Sequence, residues 1–214
     1  MPDLRLRRLY LCVGWRDDMA RFLTSVVRAG VDVVQLREKV LPLDAQREMA
    51  AIMAPICREF GVPFIINDSP HLALEVGADG VHVGQDDLRV ATCRDILGTE
   101  AVIGLSTHST DEFDRALVLD ADYFSAGPVV PTPTKPGRAG TGAGYAAACQ
   151  ARSDRPVFVT GGVDASNVEA LVGAGVRHFV VVRALTEAVD PARSAAQLRE
   201  AIDRALSAVP VQPT

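Results

Sequence analysis

Short runs of β-branched and aliphatic residues alternate with longer amphipathic runs along the whole chain. The strand-like runs fall at 9–13, 32–37, 63–67, 80–83, 102–106, 123–126, 157–160 and 178–182. Between them apolar positions recur at helical spacing, as at 17–28, 44–60, 88–97, 111–119 and 167–174. A long amphipathic run at 191–208 ends the pattern. Strands interleaved with helices in this way predict an α/β protein with a parallel sheet, since each parallel connection needs a crossover and a helix supplies it.

Weak internal repetition predicts that the sheet closes. AGVDVVQL, VGADGVHVG, LDADYFSAG and AGVRHFVVV share a helix end, a tight turn and a strand. Their turn residues Gly30, Gly77, Asp120 and Gly175 lie 47, 43 and 55 residues apart and precede the second, fourth, sixth and eighth strands. Quarter units of two strands and two helices would give this spacing. The expectation is one (β/α)8 TIM barrel over 1–214, short for a fold of about 250 residues, so most loops must be tight.

The exception is 127–144, GPVVPTPTKPGRAGTGAG, which follows strand six and is too rich in Pro, Gly and Thr for core. A long loop in an otherwise economical barrel is expected to be functional, an active-site loop, with an idle surface excursion as the alternative.

Composition narrows the classes. A chain of 214 residues suits one domain, and 48% hydrophobic with 23% charged residues is the balance of a soluble globular protein. A formal net charge of −5 argues against a broad cationic surface for nucleic acid, so an anion site must come from a local cluster of Lys and Arg. Cys12, Cys57, Cys93 and Cys149 are scattered without a CxxC pair, which argues against zinc or disulfides and for a reducing compartment. The early arginines precede an apolar run, 9–13, too short for a signal-peptide core, and no run reaches the roughly 18 apolar residues of a membrane span. A cytoplasmic protein with no nucleic-acid or membrane partner is expected.

Barrel active sites form at the C-terminal ends of the strands. Strand two ends in VVQLREK, and alternation puts Gln35, Arg37 and Lys39 on one side and Val34 and Leu36 on the other. The apolar pair suits the helices, so the polar set points to the barrel mouth, where two cations call for an anion. A frayed strand end with a solvated Lys39 is the plainer alternative. Asn67 and Asp68 end strand three, and Asp86 and Asp87 follow strand four. Carboxylates from adjacent strand ends fit a Mg²⁺ site completed by water and phosphate oxygens, although Asp68 and Asp87 could instead cap the helices that follow. Ser106 falls on the inward alternation of strand five, whereas Thr107, Ser109 and Thr110 read as a helix start. His108 and His71 read as loop histidines and His82 as outward-facing. Thr132, Thr134 and Lys135 on the long loop suit an anion lid, and Gly161–Gly162 after strand seven allow backbone N–H groups near a phosphate. Strand eight ends at Val182 and Arg183.

Six blocks in order, QLREK (35–39), NDS (67–69), HVGQDDL (82–88), GLSTHS (104–109), GPVVPTPTK (127–135) and TGGV (160–163), resemble the thiamine-phosphate synthase family. They span most of the barrel, and PTPTK is the most specific. The resemblance implies coupling of 4-amino-5-hydroxymethyl-2-methylpyrimidine diphosphate with 4-methyl-5-(2-hydroxyethyl)thiazole phosphate, a transferase reaction giving thiamine phosphate and pyrophosphate. It implies Gln35 and Ser106 on the pyrimidine, and Arg37, Lys39, Asn67 and Lys135 on its diphosphate. Asp68 and Asp87 would bind Mg²⁺. Thr132 and Thr134 would meet the thiazole phosphate, with backbone groups near Gly162, Val182 and Arg183. Loss of pyrophosphate before attack by the thiazole nitrogen needs charge neutralisation and ring alignment rather than a nucleophile. No convincing Cys/His or Ser/His pair stands in the sequence.

The chain departs from the family's pattern in having Arg183 where serine is usual, in continuing the lid as PGRAGTGAG with Arg138 unassigned, and in lacking a leading helix. Two alternatives remain: a thiazole tautomerase of the same barrel family, which carries a histidine where this chain has Pro128, and a non-catalytic sensor of a phosphorylated metabolite. The sequence leaves the oligomeric state open, a homo-oligomer included.

Overall fold

A computed structural model describes residues 2–130 and 140–209. Eight strands, β1 (Leu9–Val13), β2 (Val33–Leu36), β3 (Phe64–Asn67), β4 (Gly80–Val83), β5 (Val102–Thr107), β6 (Tyr123–Ala126), β7 (Val157–Val159) and β8 (His178–Val181), pair in chain order as a closed barrel. Every pairing is parallel, and Leu9 opposite Phe179 joins the last strand to the first. Each strand matches a predicted run to within a residue at either end.

The connections are α1 (Met19–Arg28), α2 (Leu43–Glu59), α3 (Pro70–Val76), α4 (Val90–Leu97), α5 (Thr110–Leu117), α6 (Gly142–Ala151), α7 (Val168–Gly173), the single turn α8 (Arg183–Thr186) and α9 (Pro191–Ala208). In α1 the buried residues Met19, Phe22, Leu23, Val26 and Val27 form one stripe of 3.6-residue period, which is the face laid on the sheet. The loop expected over 127–144 is shortened, because α6 begins at Gly142. A 3₁₀ turn, Leu4–Leu6, precedes β1, and its Leu4 is buried in the barrel interior.

Two apolar clusters result. One fills the space between sheet and helices. The other lies inside the barrel, where Tyr10, Val33, Ile65, Val102, Tyr123, Phe158 and Val180 meet. Phe158 packs edge-on against Tyr10 and Tyr123, with ring centroids 5.2 and 5.5 Å apart. The four cysteines are free and buried.

The sequence repeats correspond to a repeated clamp. In three of them the aspartate after the turn reaches back to the strand before it. Asp32 accepts the amides of Arg8 and Leu9 at 2.9–3.0 Å, Asp79 that of Phe64 at 2.8 Å, and Asp122 that of Ile103 at 2.7 Å. The backbone N–H of each aspartate donates to the same strand start, at Leu9, Phe64 and Ile103. The fourth repeat has Arg177 instead, whose guanidinium binds the carbonyls of Val172 and Val176. These clamps close the N-terminal end of the barrel and leave the other end for chemistry.

Candidate active site

The β2 tip carries the basic residues. Arg37 N–H still bonds Val13 O at 2.8 Å, so the chain remains strand-like beyond Leu36 and Arg37 keeps the inward direction of Gln35. The turn beyond is organised by Glu38, whose carboxylate accepts the amides of Trp15 (3.1 Å), Val40 (2.8 Å) and Leu41 (3.2 Å). Burial pushes this carboxyl up, but the amides outweigh it and hold it below the usual range. Arg37 and Lys39 both line a cavity of about 770 Å³ at the C-terminal mouth of the barrel.

The carboxylates stand on the next two strand ends, lining the same cavity. Asp68 has φ +62°, alone among the described non-glycine residues in taking a positive value. Asp tolerates this left-handed conformation better than most residues, and strain of this kind gathers at functional sites. Asp68 is not a helix cap. Ser69 takes that position for α3, accepting Leu72 N–H at 3.2 Å, and the Asp68 carboxylate instead pairs with Lys39 Nζ at 2.8 Å. Nor does Asp87 cap α4, which starts three residues later; its Oδ2 accepts Gly84 N–H at 2.7 Å. Burial raises the Asp68 pKa, Lys39 opposes that, and neighbouring Asp87 raises it further.

A carboxylate pair in which burial and the neighbouring Asp87 disfavour the charged form of Asp68 suits a hard divalent cation. Among the described residues no group of three or more His, Cys, Asp or Glu forms a metal cage. Two carboxylates completed by water and phosphate oxygens make a normal site for Mg²⁺. The donor set fits.

The cavity floor is polar and tightly bonded. Ser106 is buried and inward, as the alternation predicts. His82 corrects the expectation of an outward ring: it points into the barrel, its Nε2 2.8 Å from Ser106 Oγ and its Nδ1 2.9 Å from Tyr123 Oη. Its neighbours Val81 and Val83 both pack on the helices, which leaves the interior for His82. Gly104 makes room, since a Cβ there would collide with the Tyr123 ring and His82 Nδ1. Thr107 is also corrected. It ends β5, buried, and donates to Ser125 O at 3.0 Å instead of starting a helix. Ser109 caps α5, with Thr110 its first residue.

Across the mouth, Gly161 and Gly162 have φ +91° and +73°, a turn that L residues resist. Asn167 Nδ2 holds Gly162 O at 2.6 Å. Val182 and Arg183 complete this side. Among the described residues the Arg183 guanidinium makes no ion pair, nor does that of Arg37. Thr132, Thr134, Lys135 and Arg138 lie outside the described residues.

Residues 9–185 match the model of the family described as thiamine monophosphate synthase. The chain belongs to this family. It is 46% identical over 195 residues to thiamine-phosphate synthase of Acidothermus cellulolyticus, covering 89% of this chain and 92% of that one. The Mycobacterium tuberculosis protein of the same name is 44% identical over 212 residues, 92% of this chain and 96% of that one. The solved thiamine phosphate pyrophosphorylase of Pyrococcus furiosus superimposes with a TM-score of 0.85 at 26% identity, covering 93% and 96% of the two chains. A 3-hexulose-6-phosphate synthase, at 19% identity and TM-score 0.67, shares the fold alone. The chain is thus an enzyme, a transferase of the thiamine-phosphate synthase family, and the tautomerase and sensor readings are not favoured.

Within this family member the cavity gathers Gln35, Arg37, Lys39, Asn67, Asp68 and Asp87, with Ser106, Gly162, Val182 and Arg183. Sequence reading missed Tyr10, Tyr123 and Ser125 on the floor and Glu38 behind the β2 tip. β1 and β6 are buried along their whole length, so alternation carries no signal there. His108 also lines the cavity, its Nδ1 2.9 Å from Glu112 Oε2. No helix among the described residues is long and apolar enough to cross a membrane.

Proposed function

We propose that the enzyme joins 4-amino-5-hydroxymethyl-2-methylpyrimidine diphosphate to 4-methyl-5-(2-hydroxyethyl)thiazole phosphate, giving thiamine phosphate and pyrophosphate. The observation that carries this reading is the facing pair Asp68 and Asp87 beside Arg37 and Lys39, on one rim of a deep, polar-floored cavity in a chain of this family.

Gln35 and Ser106 hold the pyrimidine at the floor. Arg37, Lys39 and Asn67, with Lys135 from the long loop, take the diphosphate. Asp68 and Asp87 would hold Mg²⁺, which would supply charge neutralisation for the leaving pyrophosphate. The 4-amino group spreads the positive charge left at the methylene carbon when the C–O bond breaks and pyrophosphate takes the electron pair. The thiazole nitrogen then donates its lone pair to that carbon. No proton has to move for this C–N bond to form, so the Ser106–His82 hydrogen bond on the floor, a pairing the sequence did not reveal, serves ring contact and not nucleophile activation. Thr132 and Thr134, with backbone groups near Gly162, Val182 and Arg183, hold the thiazole phosphate, and the Arg183 guanidinium, which makes no ion pair among the described residues, adds a direct cation. The stretch from 127 to the start of α6 acts as the active-site loop.

The test is direct. Purified protein with both substrates and Mg²⁺ should release pyrophosphate and form thiamine phosphate in equal amounts, and chelation should stop it. No pyrophosphate release from folded protein would refute the reading.

A further inference from the structure

The floor of the cavity is one unbroken hydrogen-bond chain drawn from five strands. Gln35 Nε2 lies 3.0 Å from Tyr10 Oη, and Tyr10 Oη lies 2.8 Å from Tyr123 Oη. Tyr123 Oη is 2.9 Å from His82 Nδ1, and His82 Nε2 is 2.8 Å from Ser106 Oγ. The two ends, Gln35 and Ser106, are the residues assigned above to the pyrimidine. The links between them are 8% exposed or less, so water does not substitute for a missing partner.

Each phenol has one proton, and burial raises both phenol pKa values, so both keep it at neutral pH. Two phenols in series therefore force a common direction. If the Gln35 amide N–H donates to Tyr10, Tyr10 must donate to Tyr123, and Tyr123 to His82 Nδ1. The imidazole then carries its proton on Nε2 and donates to Ser106. A doubly protonated ring would set two donors against Tyr123 and bury a charge in the barrel.

The same links satisfy themselves only if all are reversed together, ending with Tyr10 donating to the amide oxygen of Gln35. Cys12 distinguishes the two. Its Sγ lies 3.2 Å from Gln35 Oε1, and a thiol donates weakly but accepts poorly from an amide. The amide oxygen faces Cys12, so the amide nitrogen faces Tyr10.

We propose that this chain runs from Cys12 and Gln35 through Tyr10, Tyr123 and His82 to Ser106, and makes the Ser106 hydroxyl a donor toward the substrate ring. Tyr123 and His82 are then positioning residues for pyrimidine recognition. With one lone pair of Ser106 filled by His82, its proton rests on Ser125 Oγ, 3.2 Å away, until a ring acceptor replaces that long link. Gln35 keeps one N–H and a carbonyl lone pair. The floor thus offers two donors and one acceptor, the complement of an aromatic ring with two bare nitrogens and an exocyclic amino group. This deepens the pyrimidine assignment of the proposed function and rests on it.

The experiment uses the full chain labelled with ¹⁵N-histidine; the chain has four histidines, and the His82 signals are assigned by their loss in His82→Gln. The expected spectrum shows a neutral His82 with Nε2 protonated and Nδ1 bare. Protonation on Nδ1 would reverse the chain and overturn the proposal. In Tyr123→Phe, which keeps the ring and removes the link, KM for the pyrimidine diphosphate should rise about tenfold while KM for the thiazole phosphate stays within about twofold. Tyr10→Phe cuts the neighbouring link and should give the same split if Tyr123→Phe folds poorly. An unchanged pyrimidine KM in a folded variant would reduce the chain to packing and overturn the proposal. Failure of the coupling reading itself would appear separately, as wild-type protein that turns over neither substrate, with the tautomer still deciding the chain's direction.

Discussion

Lys39 Nζ sits 2.8 Å from an Asp68 carboxylate oxygen, so one of the two basic residues at the β2 tip is already engaged with half of the carboxylate pair. Both groups are partly exposed, and a pair of this kind holds weakly enough to exchange. In the proposed site, a cation taking over the charge of Asp68 would free Lys39 for the diphosphate.

Lys39→Met should therefore divide two properties that usually fall together. Asp68 and Asp87 lose their compensating charge, so half-saturation with Mg²⁺ should come at lower concentration. The diphosphate loses a cation, so kcat/KM for the pyrimidine substrate should fall about 10- to 100-fold, the loss of roughly 1.4–3 kcal/mol of charge-assisted binding. Mg²⁺ titration of turnover checks both, and a weaker Mg²⁺ requirement without kinetic loss would contradict the exchange.

The raised pKa of Asp68 sets the sign of a pH effect. Between its ordinary unfolded value and its raised folded value, the folded chain binds the proton more readily than the unfolded chain. Stability without metal should thus gain from this group as pH falls through that window, whereas the stabilisation added by Mg²⁺ should shrink, because the protonated acid is a poor ligand. Thermal melts with and without Mg²⁺ across the acid range read this directly, and Asp68→Asn should abolish both trends.

His178 gives a trend of the opposite sign. Burial lowers its pKa to about 4, its Nδ1–H donates to Arg7 O at 2.6 Å, and Arg8 Nη1 lies 3.4 Å from Nε2. Arg8 Nη1 is nearer still to Nδ1, at 3.2 Å, and a neutral ring is the form that tolerates this cation beside it. Its folded pKa lies below the unfolded value of about 6.5, so its contribution is fully present above that value and is lost as pH falls toward 4. The loss amounts to about 3 kcal/mol. Denaturant unfolding at a series of pH values should show wild type and His178→Gln converging by about that amount.

The clamps at the opposite end of the barrel should affect stability alone. Asp79→Ala leaves the Phe64 amide without its side-chain acceptor at 2.8 Å, at a cost of about 1–3 kcal/mol. KM for both substrates should be unchanged once the protein is folded. A kinetic change at full folding would show that the two barrel ends are coupled.

Much of the site was legible because strand alternation is a local property. Val34 and Leu36 claim the helices, and that alone turns Gln35 and Arg37 inward. The order of strands and the repeated turns likewise implied closure, although the meaning of Asp32, Asp79 and Asp122 within those turns did not show until their carboxylates were seen gripping the preceding strand. The expectation for His82 failed for a specific reason: an imidazole on an apolar strand is tolerated inward only if both ring nitrogens find partners, and those partners sit 24 and 41 residues away.

The chain by itself determined which residues face the barrel mouth, since side chains must alternate on a strand and apolar ones must leave water. Tertiary structure alone decided which of them meet. Tyr10 and Tyr123 are separated by 113 residues and lie on strands buried on both faces, where no pattern marks a hydrogen-bonding pair. Closure of the sheet brings them within 2.8 Å, and a buried hydroxyl then has to bond to what the fold puts beside it.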